Sequence, residues 1–67
     1  MKNLTPDVSF SNHGSIWLAR PLTDAGQDWI DDNIDPNAQW FAGALVVEPR
    51  YVGDIAEGMA ADGLEVG

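Results

Sequence analysis

Trp40-Phe41-Ala42-Gly43-Ala44-Leu45-Val46-Val47, preceded by Gln39 and closed by Glu48-Pro49, is the longest apolar stretch in the chain. A continuous run of this length reads as a strand covered on both faces, or nearly so. It is far too short to cross a bilayer. We therefore expect Gln39 to Val47 to be the central strand of a sheet, and the remaining elements are placed around it.

Downstream, Pro49 suits the first position of a helix, where its missing N–H costs nothing. Val52, Ile55, Ala56 and Met59 recur at i, i+3, i+4, i+7, with Asp54 and Glu57 opposite, so the helix is expected to run to about Asp62. Gly53 and Gly58 weaken it by roughly 1 kcal/mol each relative to Ala. Gly63 is a good residue for a left-handed cap, with Leu64 as the apolar contact that follows it. Leu64-Glu65-Val66 could add a short edge strand.

Upstream, Asp7 to Ser11 alternates, with Val8 and Phe10 on one side. Asn12-His13-Gly14 is a turn signal. Ser15 to Ala19 follows as a second strand, which makes a hairpin. Thr23 is placed as the N-cap of a helix over about 24–34, ended by Asp35-Pro36-Asn37. Its apolar side carries Leu22, Trp29, Ile30 and Ile34. The order ββαβα(β) predicts an α+β fold, a small antiparallel sheet of three to four strands with two helices on one face. Residues 1–67 are expected to form one domain, with 1–6 as a flexible leader.

The chain has 67 residues, 11 acidic and 3 basic, for a net charge of −8. A domain of about 60 residues buries only roughly 60% of its unfolded surface, so its core is small. There is no cysteine to staple it. Yet 45% of residues are hydrophobic and only 21% charged, with three Trp, which favours a fold over disorder. The charge argues against direct binding to nucleic acid or to an anionic membrane. It favours basic protein surfaces as partners and disfavours self-association, so a monomer is expected. No apolar signal segment follows Met1-Lys2-Asn3, and a cytoplasmic location is expected by default.

Catalytic signatures are missing. There is a single His and no nucleophile elbow, and no Lys-containing phosphate loop. His13 reads as an exposed turn residue. Asp31-x-Asn33-x-Asp35-x-Asn37 matches the start of a calcium loop, but the sixth position is Pro36 and the twelfth is Ala42, where Gly and Glu are needed. Neither enzyme, cofactor nor metal site is expected.

The first helix carries the unusual feature. Asp24, Asp28, Asp31 and Asp35 fall on the side opposite the apolar face, with Asp32 beside them. Their like-charge neighbours cost roughly 1–2.5 kcal/mol in total. No Lys or Arg lies between Arg20 and Arg50 to relieve them. Asp24 to Asp35 would span about 16.5 Å, or roughly one charge per 3.3 Å, against about 3.4 Å along one strand of B-DNA. Asp54 and Glu57, with Asp62 and Glu65, would extend the negative field if the second helix lies alongside. Such a row reads either as a solvated face or as a surface for a basic partner. Core packing is the default for Trp17, Trp29 and Trp40, and Trp29, at the border of the acidic face, is the expected exception.

A cysteine-free, strongly acidic single domain with an Asp24/Asp28/Asp31/Asp32/Asp35 row resembles the small DNA-mimic proteins of phages and mobile elements, and among them the acidic anti-CRISPR proteins. That resemblance implies a non-enzymatic inhibitor occupying the basic DNA-binding surface of a CRISPR surveillance complex in a bacterial cell. The alternative is a small adaptor that docks through an apolar patch around Trp29 and Trp40, with the charge serving solubility.

Overall fold

The computed structural model describes residues 5–67. Residues 1–4 of the expected leader lie outside the described residues. Pro6 is half-buried, with its ring against Gly67.

The chain is an α+β domain. In order it forms β1 (Val8–Asn12), β2 (Trp17–Pro21), α1 (Asp24–Asn33), β3 (Trp40–Phe41), β4 (Ala44–Val47) and α2 (Pro49–Ala61). The four strands make one antiparallel sheet in the order β1-β2-β4-β3. The first hairpin begins and ends one or two residues later than the sequence suggested. Its turn is closed by the His13 N–H donating to the Ile16 carbonyl (2.9 Å) and the Gly14 N–H donating to Asn12 Oδ1 (2.9 Å). Gly14 sits at φ +88°, which a glycine adopts without penalty.

The apolar run from Gln39 to Val47, expected as one central strand, is two strands, β3 and β4. Trp40 pairs with Leu45 and Phe41 with Ala44, so Ala42-Gly43 is a two-residue hairpin loop. Both loop residues have positive φ (51° and 81°), the turn whose twist matches that of the flanking strands. Nothing in the run marks that turn, because an Ala stands where Asn or Asp usually does. An external latch compensates: Arg20 on β2 donates Nη1–H to the Ala42 carbonyl at 2.6 Å. The folding-back puts β4 inside the sheet and β3 at its edge. Leu45, at 2% exposure, is core, whereas Trp40 is 42% and Phe41 64% exposed.

The covered face of the sheet carries Val8, Ala19, Leu45 and Val47, with Phe10 and Trp17 at its margin. Ile30 of α1 and Met59 of α2 close over it, and Val52, Ile55 and Leu64 pack around them. Thr23 is the N-cap of α1: its Oγ1 accepts the Gly26 N–H at 3.1 Å. Leu22, expected on the apolar face, precedes that cap and is exposed. Helix α1 stops at Asn33, because Ile34 is already extended (φ −108°, ψ 144°).

At the end of α2, Gly63 (φ +89°) donates its N–H to Ala60 O (3.0 Å) and Leu64 donates to Met59 O (3.0 Å). That is the paired left-handed cap foreseen for Gly63 and Leu64. The tail then runs parallel to β1. Asp7 donates to Glu65 O (2.8 Å), Gly67 to Val8 O (2.9 Å) and Phe10 to Gly67 O (3.0 Å). Val66 pairs with Val8 as a single parallel bridge rather than a full strand.

Candidate functional site: the acidic helix and the groove at its end

Asp24, Asp28, Asp31 and Asp32 are all exposed on α1. Helical geometry keeps them within an arc of about 100°. Asp24, in the first turn, suits the positive end of the helix dipole, but no basic residue occupies the last turn. The cations among the described residues are engaged elsewhere. Arg20 latches the hairpin loop. Arg50 lies 3.5 Å from Glu48 and stacks over the Tyr51 ring at 4.9 Å. Among the described residues, the side-chain hydrogen bond to an α1 carboxylate comes from a neutral group, Gln27 Nε2–H donating to Asp31 Oδ1 at 3.0 Å.

Asp35 departs from the expected row. Because α1 ends at Asn33, Asp35 belongs to the following turn. Its Oδ1 accepts the Asn37 N–H at 2.8 Å, and its carbonyl accepts the Ala38 N–H at 2.9 Å. The helical row is therefore four carboxylates over roughly 12 Å, still about 3 Å per charge. The repulsion between Asp35 and its neighbours no longer follows helical spacing. The three remaining helical pairs cost roughly 0.6–1.5 kcal/mol.

Trp29 is not the exposed tryptophan. It is half-buried against the core, and its Nε1–H donates to Asp62 Oδ2 at 2.6 Å. Gly58 of α2 lies directly under the indole, where an added Cβ would come within 3.3 Å of Cζ2. That contact explains a glycine which helix propensity alone disfavours, and it sets α2 beside α1. Asp54, one turn before Gly58, lies on the same stripe of α2, and both Asp54 and Glu57 are exposed. Asp62 is tied to Trp29.

Trp40 takes the place foreseen for Trp29. Its indole lines an open groove with Ile30, Asp31, Ile34, Asp35 and Pro36. The groove joins the end of α1, the turn after it and the edge strand β3. A second, more apolar depression lies on the other side of Trp40, against Ile16, Gln39, Phe41 and Val46. Neither follows from sequence periodicity, because both depend on the Ala42-Gly43 turn placing β3 at the edge.

His13 is exposed, with Nε2 2.9 Å from Ser11 Oγ. Among the described residues, no three His, Cys, Asp or Glu side chains are grouped to hold a metal ion. No helix there is long and apolar enough to cross a membrane. Asp7 Oδ1 accepts the Thr23 hydroxyl (2.6 Å) and Oδ2 accepts the Glu65 N–H (2.8 Å), and these bonds hold its pKa below the usual 3.8. Asp7 organises the fold rather than the acidic face. No protein-family model matches this chain, and no curated protein or solved structure matches it either.

Proposed function

We propose that the protein is a non-enzymatic acidic inhibitor. Its α1 face mimics the charge of DNA and occupies a basic nucleic-acid-binding surface, in the manner of an anti-CRISPR protein blocking target DNA. The observation that carries this reading is the exposed Asp24, Asp28, Asp31 and Asp32 row, against which no cation is set among the described residues. A row of like charges that costs folding energy is suited to a partner that supplies Lys and Arg. Asp54 and Glu57 add to the field from the neighbouring helix. The inhibitor acts as a monomer in a bacterial cell and binds no nucleic acid itself. Binding of this kind falls steeply with salt. Capture of the partner from nuclease-treated host lysate at low salt, and its loss at high salt or with Asp24/Asp28/Asp31/Asp32→Asn, is the expected result. Capture unchanged by both would refute the reading.

The exposed Ile16, Trp40 and Phe41 favour a second reading, an adaptor that docks through the β3 edge with charge for solubility alone. It requires Trp40→Ala and Phe41→Ala to abolish capture while the Asn variant retains it.

A further inference from the structure

We infer that the groove between α1 and β3 is a receptor for an arginine side chain of the partner, stacked on Trp40 and held by Asp31 and Asp35. The inference rests on the charge-mimic reading and names the contact at its centre. The lining is mixed: Ile34 and Pro36 make the apolar part of the floor, over Ile30, which is 2% exposed, and Asp31 and Asp35 make the polar part. Trp40 leaves 42% of its surface open beside that floor. Each carboxylate at the rim is fixed through its Oδ1, Asp31 by Gln27 and Asp35 by the Asn37 N–H, and among the described residues neither Oδ2 accepts a hydrogen bond. Preset carboxylates lose little freedom when they bind.

Complementarity then selects the ligand. The groove lies at the C-terminal end of α1, where the helix dipole favours a cation and the last turn supplies none. A hydrated ammonium would gain from the two carboxylates but little from the apolar floor and the indole. A guanidinium gains from all three, because it is planar, weakly hydrated, stacks on aromatic faces and forks its N–H groups to carboxylates. The occupant is therefore an arginine of the basic partner rather than a lysine or a second copy of this acidic chain.

The test uses nona-arginine and nona-lysine, which carry equal charge, titrated into the full chain while the indole N–H signals are followed by NMR. Nona-arginine is expected to bind more tightly than nona-lysine and to shift the Trp40 indole. Trp40→Ala should weaken nona-arginine about tenfold and leave nona-lysine nearly unchanged. Asp35→Asn, which keeps the turn oxygen that accepts from Asn37, should reduce the same preference with the fold intact. Equal effects of Trp40→Ala on both peptides would overturn the arginine receptor while the charge reading stands. Binding of neither peptide would overturn both. Self-association that buries Trp40 without peptide would assign the groove to a second copy and overturn the proposal.

Discussion

Asp7 and Thr23, sixteen residues apart in sequence, are joined by a 2.6 Å hydrogen bond from the threonine hydroxyl to Asp7 Oδ1. The same Thr23 oxygen caps α1, and the other Asp7 oxygen accepts from Glu65. One carboxylate thus ties the first strand, the first helix and the C-terminal tail together. Its pKa is lower folded than unfolded, so its stabilisation is complete above the ordinary value near 3.8 and is lost as pH falls through the lower folded value. Asp7→Asn should reduce stability at neutral pH and flatten the acid limb of a stability–pH curve below about pH 4. An acid limb as steep in the variant as in the parent would remove Asp7 from this role. Thr23→Ala should cost about 1 kcal/mol through the lost cap.

Gly26 and Gly53 are both helical glycines, and the structure gives them opposite fates. A Cβ at Gly26 would lie 2.3 Å from the Asp7 carbonyl oxygen and 3.0 Å from Val8 Cγ2. Backbone cannot yield cheaply there, so Gly26→Ala should destabilise by about 1–3 kcal/mol or more despite its gain in helix propensity. A Cβ at Gly53 meets nothing. Gly53→Ala should stabilise by about 0.5–1 kcal/mol. Denaturant midpoints measured together decide both, and equal shifts for the two variants would contradict the close approach of α1 to β1.

Trp29 and Trp40 separate packing from surface in the same way. Trp29→Ala removes the indole over Gly58 and its bond to Asp62, and should cost about 2–4 kcal/mol. Trp40→Ala, on the exposed edge strand, should cost less than about 1 kcal/mol. Thermal unfolding of the two variants gives the order directly, and the reverse order would mean that the tryptophan roles are exchanged.

Ala42 carries the one positive φ among the described non-glycine residues. Ala42→Gly relieves that conformation and should stabilise the β3–β4 hairpin by about 1 kcal/mol. Arg20→Ala should destabilise it by removing the latch on the Ala42 carbonyl. If Ala42→Gly lowers the unfolding midpoint, the turn is not the one described.

The legible parts of the fold were those with local chemistry. Thr23, Pro49, Gly63 and Leu64 mark helix ends through short-range hydrogen bonds and φ preferences, and the structure uses each of them that way. Met59 and Ile30 followed from 3.6-residue periodicity. The β3–β4 hairpin was illegible because its turn residues are Ala and Gly inside an apolar run, and the Arg20 latch comes from 22 residues away. Exposure of Trp40 was lost with it. The Asp28, Asp31 and Asp32 face could be read from helical spacing, but Asp35 could not, because the helix ended sooner than the charges did. Gly26 gave no signal either, since its requirement is a contact with the distant Asp7 backbone.

The proposed function has the α1 carboxylates compete with DNA for a basic surface. Its most direct test measures target-DNA binding by a panel of CRISPR surveillance complexes, with the parent chain or Asp24/Asp28/Asp31/Asp32→Asn added at low and high salt. The parent is expected to displace DNA from at least one complex at low salt, salt to weaken this, and the Asn variant to fail while remaining folded. Displacement by the Asn variant as effective as by the parent, or none by the parent from any complex, would contradict it.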